Sequence, residues 1–341
     1  MLRVLVAEDS PVVRELLVRL LGRDSELEVV GVAGDGAQAV ARALELAPDV
    51  ILMDVHMPRM DGLAATRELM RTLPTPIVMM TAASGEEEAR MTFEAIQAGA
   101  LTLADKPSVH DGDARARHLV QTVKSMAEVK VVRRWARREV SRPPVVPPAP
   151  LPQLRLVAMG ASTGGPPALR AILEELRPDL GVPLLLVQHI TPGFASSLAG
   201  WLGEGTSVKV KLAQAGEELR AGTGYLAPDG ADMAVDRSGR IRLDPPPPHH
   251  HHCPSVDGMF LSVAEAYGPR AVGVILTGMG ADGAAGLGRL RAAGGVTIAQ
   301  DESTSAVFGM PRAAIRRGAA ARVLALDDIA GAINAMVTRN P

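Results

Sequence analysis

The chain has 341 residues, a formal charge of −2, 47% apolar residues and only 2% aromatics, which supports two domains of ordinary size with cores of Ala, Leu, Val, Ile and Met. So few aromatics argue against stacking of bases or sugars, and the near-zero charge argues against a whole-protein attraction to nucleic acid or anionic membrane. The single cysteine, Cys253, excludes an intrachain disulfide framework and fits a reducing cytosol.

Met1-Leu2-Arg3 runs straight into a strand pattern without a signal sequence, and no apolar run approaches the roughly 20 residues of a membrane span. The expectation is a cytoplasmic protein with no membrane insertion. Val4-Leu5-Val6-Ala7 reads as a buried strand ending in Glu8-Asp9, followed by a Ser10-Pro11 helix start. The alternation continues with strands near Glu28–Val32, Val50–Met53, Ile77–Met80 and Leu101–Ala104. Helical patterns follow over Pro11–Leu21, Gly36–Ala47, Gly62–Thr72, Gly85–Ala98 and Ala114–Ala127. This predicts a five-stranded parallel sheet covered on both faces, with ligands collecting at the C-terminal strand ends. Glu8, Asp9, Asp54, Thr81 and Lys106 fall there. Clustered carboxylates repel unless a cation neutralises them, and hard oxygen ligands suit magnesium. With a lysine and a hydroxyl at neighbouring strand ends, the set suits phosphorylation of a carboxylate.

Residues 1–127 are taken as the first domain and 128–153 as a linker. Lys130–Arg142 is basic and Pro143–Pro152 proline-dominated, giving a semi-rigid spacer; the basic run reads either as a solvated linker helix or as a grip on a partner. From 154 to 341 a second α/β pattern appears. Strands are expected at Leu154–Met159, Pro183–Val187, Val208–Leu212, Ala271–Leu276, Val296–Ala299 and Arg322–Leu324. Helices are expected at Gly165–Glu175, from Pro192 to Leu202, and at Val256–Tyr267, Met310–Arg317 and Asp327–Val337, with one more after Gly283. Gly222–Leu243 reads as hairpin-like, with turns at Pro228-Asp229-Gly230 and Arg237-Ser238-Gly239. The expected fold is a mostly parallel, doubly wound α/β domain with a β-hairpin excursion.

In this half Gly160-Ala161-Ser162-Thr163-Gly164 fits the strand–turn–helix of a G-x-S-x-G nucleophile elbow, although a serine in a glycine-rich turn also serves as a helix cap or phosphate-loop residue. Its company favours the nucleophile. His189 follows one apolar strand and Asp282 stands in a glycine-rich turn after another. Serine, histidine and aspartate at three strand ends suit acyl transfer, with backbone amides after Ser162 and in the Gly278–Gly280 turn as oxyanion donors. The order Ser…His…Asp differs from the Ser…Asp…His of α/β-hydrolases. The absence of a second glycine in a G-x-G-x-x-G pattern disfavours a dinucleotide site.

Two resemblances cover nearly the whole chain. Residues 1 to about 125 resemble a two-component receiver domain through Glu8-Asp9, Asp54 within Met53–Gly62, Thr81 and Lys106-Pro107. This implies a phosphoacceptor Asp54 served by a histidine kinase, Thr81 and Lys106 as switch residues, and Mg2+ held by Glu8 or Asp9, Asp54 and the His56 carbonyl. Leu103 occupies a position often aromatic in receivers, which leaves Thr81 to carry more of the signal. Residues 154–341 resemble the catalytic domain of the chemotaxis receptor protein-glutamate methylesterases. The matching segments are Gly160–Gly165, Gln188-His189 with Pro192-Gly193-Phe194, Ala227-Pro228, Pro254–Asp257, Leu276–Gly286 and Val307–Pro311. This second resemblance carries the nucleophile onto Ser162, the base onto His189 and the orienting acid onto Asp282, with Thr163 and the Met279 backbone in support and no cofactor for the ester chemistry. It implies hydrolysis of receptor glutamate methyl esters and deamidation of receptor glutamines. The substrate would be the cytoplasmic helices of methylated chemoreceptors, with the unphosphorylated receiver covering the groove. Cys253 stands where the family commonly has arginine. The His249–His252 run reads as a surface loop or a zinc site. An adaptor with a degenerate esterase fold is the alternative from another class; a DNA-binding effector is disfavoured because no basic recognition helix is present.

Overall fold

The computed structural model describes residues 1–81, 86–107, 113–127, 129, 154–246 and 253–337. The chain divides into two compact units, Met1–Arg138 and Glu139–Pro341. The stretch expected as a linker, apart from Val129, and the His249–His252 run lie outside the described residues.

The first unit alternates β1 (Leu2–Ala7), α1 (Pro11–Leu21), β2 (Leu27–Ala33), α2 (Gly36–Leu46), β3 (Val50–Asp54), α3 (Gly62–Thr72), β4 (Ile77–Thr81), α4 (Glu86–Gln97), β5 (Thr102–Asp105) and α5 (Asp113–Ala127). Its five strands lie in the order β2-β1-β3-β4-β5 and pair in parallel. Parallel strands carry helices on both faces, so their sequences are apolar throughout rather than alternating; β3 and β4 are buried along their whole length. The helices start where the sequence supplies caps. Ser10, Asp35 and Asp61 accept the amides of Val13, Gln38 and Ala64 at the N-termini of α1, α2 and α3. The chain proceeds from β1 to β2 on one side and crosses to β3 on the other. The crevice above β1 and β3 is therefore the topological switch point, where ligands bind in such sheets.

The second unit contains β6 (Leu156–Ala161), α6 (Gly165–Glu175), β7 (Leu184–Gln188), α7 (Ala195–Gly203), β8 (Lys209–Leu212), β9 (Thr223–Leu226), β10 (Asp232–Val235), β11 (Ile241–Asp244), α8 (Val256–Ala266), β12 (Ala271–Ile275), α9 (Ala284–Ala292), β13 (Val296–Gln300), α10 (Met310–Arg316), β14 (Arg322–Leu324) and α11 (Leu326–Met336). Seven strands form a parallel sheet in the order β14-β13-β12-β6-β7-β9-β8. β6 is the switch point here: the chain leaves it toward β7 and later returns to β12 on its other side.

Two expectations need correction. The Gly222–Leu243 stretch is not one hairpin-like unit. β9 lies between β7 and β8 in the main sheet and is parallel to both, whereas β10 and β11 alone form the antiparallel pair. The turn at Pro228-Asp229-Gly230 thus ends a buried strand rather than reversing a hairpin. The helix expected from Pro192 begins three residues later. Gly193 has φ of 95°, outside the helical region, and its amide donates to Asp229 Oδ2 at 2.8 Å, fastening the segment as a turn.

Candidate active site and acidic pocket

At the switch point of the first unit, Glu8 and Asp54 are buried at 0% and 1% exposure while Asp9 is exposed. One carboxylate oxygen from each of the three lies within 4.8 Å of the others. The Lys106 ammonium reaches in from beyond β5, with Nζ 2.7 Å from Asp54 Oδ2 and 3.2 Å from Glu8 Oε2. Burial, then the Asp54 charge, push the Glu8 carboxyl up, with Lys106 opposing; burial also pushes Asp54 up against the pull of Lys106. One lysine among three carboxylates leaves negative charge in excess, which is the electrostatic requirement of a cation site. The His56 amide donates to Asp54 Oδ1 at 3.3 Å, which draws the start of the following loop against Asp54. Thr81 is buried at the end of β4, and its carbonyl accepts the Lys106 amide at 2.9 Å, tying the two positions together. Leu103 is buried as well, at 7% exposure.

In the second unit Ser162 follows β6, His189 follows β7 and Asp282 follows β12. These are the central strand and its two neighbours. Ala161 pairs with Gln188, so Ser162 and His189 are the next residues along two adjoining parallel strands, which run about 4.8 Å apart. The Gln188 side chain locks this juncture, its Nε2 donating to the Ser162 carbonyl at 2.7 Å and to the His189 carbonyl at 2.8 Å. On the other side, the Ser162 amide donates to the Thr277 carbonyl at 3.0 Å. Thr277 Oγ1 donates to the Thr163 carbonyl at 2.9 Å and accepts the Val307 amide at 2.9 Å. Gly164, at φ of 73°, caps α6. A Cβ there would lie 2.4 Å from Ala306 Cβ, and one on Gly278 would lie 2.7 Å from Ser162 Cβ, so both contacts require glycine. The Val307–Pro311 segment buttresses this turn, the Gly309 and Met310 amides donating to the Gly278 carbonyl at 3.0 and 2.9 Å.

His189 Nε2 lies 2.9 Å from Asp282 Oδ2. The same oxygen accepts the Val256 amide at 2.8 Å, and Oδ1 accepts the Asp257 amide at 2.9 Å. Asp282 therefore sits on the N-terminus of α8, whose first-turn amides and helix dipole favour a negative charge. Burial alone would raise its carboxyl. The histidine and the two amides outweigh that and hold it at about 2. An ionised carboxylate can only accept, so Nε2 is the donor to Asp282, and in the neutral imidazole Nδ1 is the acceptor nitrogen.

Ser162, His189 and Asp282 stand beyond the ends of β6, β7 and β12, and the structure brings His189 and Asp282 into contact. Of the supporting groups, the Ser162 and Gly278 amides are already bonded to the Thr277 and Val307 carbonyls. Among the described residues the Thr163 and Met279 amides have no acceptor, and Met279 is exposed on the surface at 37%. Sequence reasoning assigned no role to Ser255-Val256-Asp257 or Gln188. Their signal was their position, at a helix start and at a strand end. Cys253, just before that helix, is partly buried; burial and the neighbouring Asp232 push its thiol up.

An acidic crevice at one switch point, and a serine, histidine and aspartate around the other, define a response-regulator receiver carried by an α/β enzyme domain. The response regulator receiver domain model matches residues 4–116 and the CheB methylesterase model matches residues 157–333. The chain belongs to the CheB methylesterase family. It is 47% identical over 343 residues to the protein-glutamate methylesterase/protein-glutamine glutaminase 1 of Syntrophus aciditrophicus, covering 97% of both chains. It is 47% identical to the enzyme numbered 4 of Myxococcus xanthus, covering 96% of this chain and 95% of the other. The catalytic domain of Thermotoga maritima CheB methylesterase aligns with 54% of this chain and 99% of its own length, at 36% identity and a TM-score of 0.52.

Proposed function

We propose that this chain is a phosphorylation-regulated serine esterase that removes methyl groups from glutamate side chains of chemoreceptors, giving sensory adaptation, and deamidates their glutamines. The observation that carries the reading is the 2.9 Å contact between His189 Nε2 and a carboxylate held ionised by a helix start, beside the Ser162 turn. Ser162 Oγ attacks the ester carbonyl while His189 Nδ1 takes its proton. The amides of Thr163 and Met279 receive the oxyanion, and Asp282 stabilises the imidazolium. Methanol departs with the proton from His189. Water then attacks the acyl-enzyme, with His189 again as base, and regenerates glutamate. A glutamine substrate follows the same path with ammonia leaving. No cofactor enters this chemistry.

The receiver spans 1–127 and a linker over 128–153 joins it to the catalytic part at 154–341. Asp54 is the phosphoacceptor for a histidine kinase. Glu8, Asp9 and Asp54, with the His56 carbonyl, form an oxygen donor set that fits Mg2+, which when bound offsets the charge on the phosphoryl oxygens. Lys106 and Thr81 meet the phosphoryl group and relay its presence. Among the described residues no helix is long and apolar enough to cross a membrane.

Replacing Ser162 with Ala tests the reading. Methanol release from membranes carrying methylated chemoreceptors should vanish while the melting temperature is unchanged; release at the wild-type rate rules the serine mechanism out.

A further inference from the structure

Asp257 is a half-buried acid with no part in the proposed ester chemistry. It is the second residue of α8, and Ser255 caps that helix by accepting the Gly258 amide at 3.1 Å. The Asp257 side chain does not serve its own helix. Its Oδ1 accepts the Gly286 amide, in the first turn of α9, at 2.6 Å. In return its own backbone amide donates to Asp282 Oδ1, just before α9, at 2.9 Å. Each helix start is thus capped by an acid from the other. The two helices are also in close contact, for a Cβ on Gly286 would lie 2.5 Å from the Asp257 carbonyl oxygen.

This arrangement holds two carboxylates near each other with two helix N-termini around them, which offsets their repulsion. It also fixes the loop that carries Asp282. That loop has flexible glycines at 280 and 283, both at positive φ, and nothing in its own sequence would set the direction of the Asp282 side chain. The Asp257–Gly286 bond anchors its far end to α8, the element that supplies the Asp282 oxygens with amides.

We propose that Asp257 is a positioning residue, acting through Asp282 to hold the His189 imidazole in its reactive orientation. The inference rests on the serine-esterase reading. Displacement of a catalytic group by a fraction of an ångström costs large factors in rate, and the bonds of Asp257 run to the Gly286 amide and to Asp282.

The test is a double-mutant cycle in the full-length chain, read by methanol release from methylated receptor membranes. Asp257→Ala should lower kcat about tenfold to hundredfold with KM nearly unchanged. Asp257→Asn, which keeps an acceptor for the Gly286 amide, should restore most of it. In an Asp282→Ala background, Asp257→Ala should cost no further activity, since its effect passes through Asp282. Ile333→Ala, on the buried face of α11, serves as a control that lowers the melting temperature without lowering kcat. If the alanine variant does not melt cooperatively, Asp257→Ser replaces it, its hydroxyl falling short of the Gly286 amide. Wild-type kcat in the folded variant, an equal loss in both backgrounds, or failure of asparagine to rescue would each overturn the proposal. Ser162→Ala separates the two readings: activity in that variant sinks the esterase mechanism, whereas an inactive Ser162→Ala beside a silent Asp257→Ala sinks only this inference.

Discussion

Asp282 Oδ2 meets His189 Nε2 at 2.9 Å while the same oxygen accepts the Val256 amide at 2.8 Å. The carboxylate is therefore not hung from the imidazole; it is seated on a helix, and the imidazole is oriented against it. Asp282→Asn keeps the shape but places an amide where an ionised acceptor fixed the tautomer. The expected loss in kcat is about 10²- to 10⁴-fold, measured by methanol release, with KM altered far less.

The same seat makes Asp282 a source of acid sensitivity. Its carboxyl is lowered from 3.8 to about 2 in the fold. A depressed acid contributes stability that is present above the unfolded value and lost as pH falls through the folded one. The contribution here is about 2 kcal/mol. Between pH 5 and pH 2, urea unfolding of the catalytic transition should lose about that much more in the wild type than in Asp282→Asn. Equal acid losses would contradict the seat.

In the receiver the sign is reversed. Burial raises both Glu8 and Asp54, so their ionised forms are disfavoured in the fold, and this cost is present at neutral pH and relieved as they protonate. A divalent cation should relieve it too. Addition of Mg2+ at pH 7 should raise the receiver melting transition by several degrees, with the gain shrinking as pH falls through the raised carboxyl range. Asp54→Ala should abolish most of the gain; an unchanged response would place the cation elsewhere.

Phosphorylation should act through Asp54 alone. A small-molecule phosphodonor with Mg2+ should raise methanol release by the full-length wild type severalfold by shifting an existing equilibrium. Asp54→Asn should keep its basal rate and show no response. A donor effect that survives in Asp54→Asn would locate regulation outside this carboxylate.

Gly278 lies against the Ser162 turn, where a Cβ would come within 2.7 Å of Ser162 Cβ and 2.4 Å of Met310 Sδ. Gly278→Ala should shift Ser162 and cost about 1–3 kcal/mol of stability by overpacking. Its kcat should fall by at least tenfold, a loss that persists at temperatures where the variant is fully folded. Denaturant titration and turnover on the same sample separate the two effects.

The amino-acid sequence by itself determined the elements and the residues that stand at their ends. Short apolar runs bounded by polar and turn residues, such as Val50–Met53 and Leu184–Val187, read as buried strands, and glycines such as Gly164 mark the backbone where the chain turns. These are local properties, set by burial and allowed dihedrals, so Glu8, Asp54, Lys106, Ser162, His189 and Asp282 could be placed at strand ends without a fold. Neighbours are another matter. An apolar strand records that it is buried but not which strand lies beside it, and so β9, which reads as hairpin, lies parallel between β7 and β8. Only the tertiary structure put β12 next to β6, brought the α8 N-terminus under Asp282, and let Asp257 reach across to α9, because these contacts join segments whose pairing depends on the whole sheet.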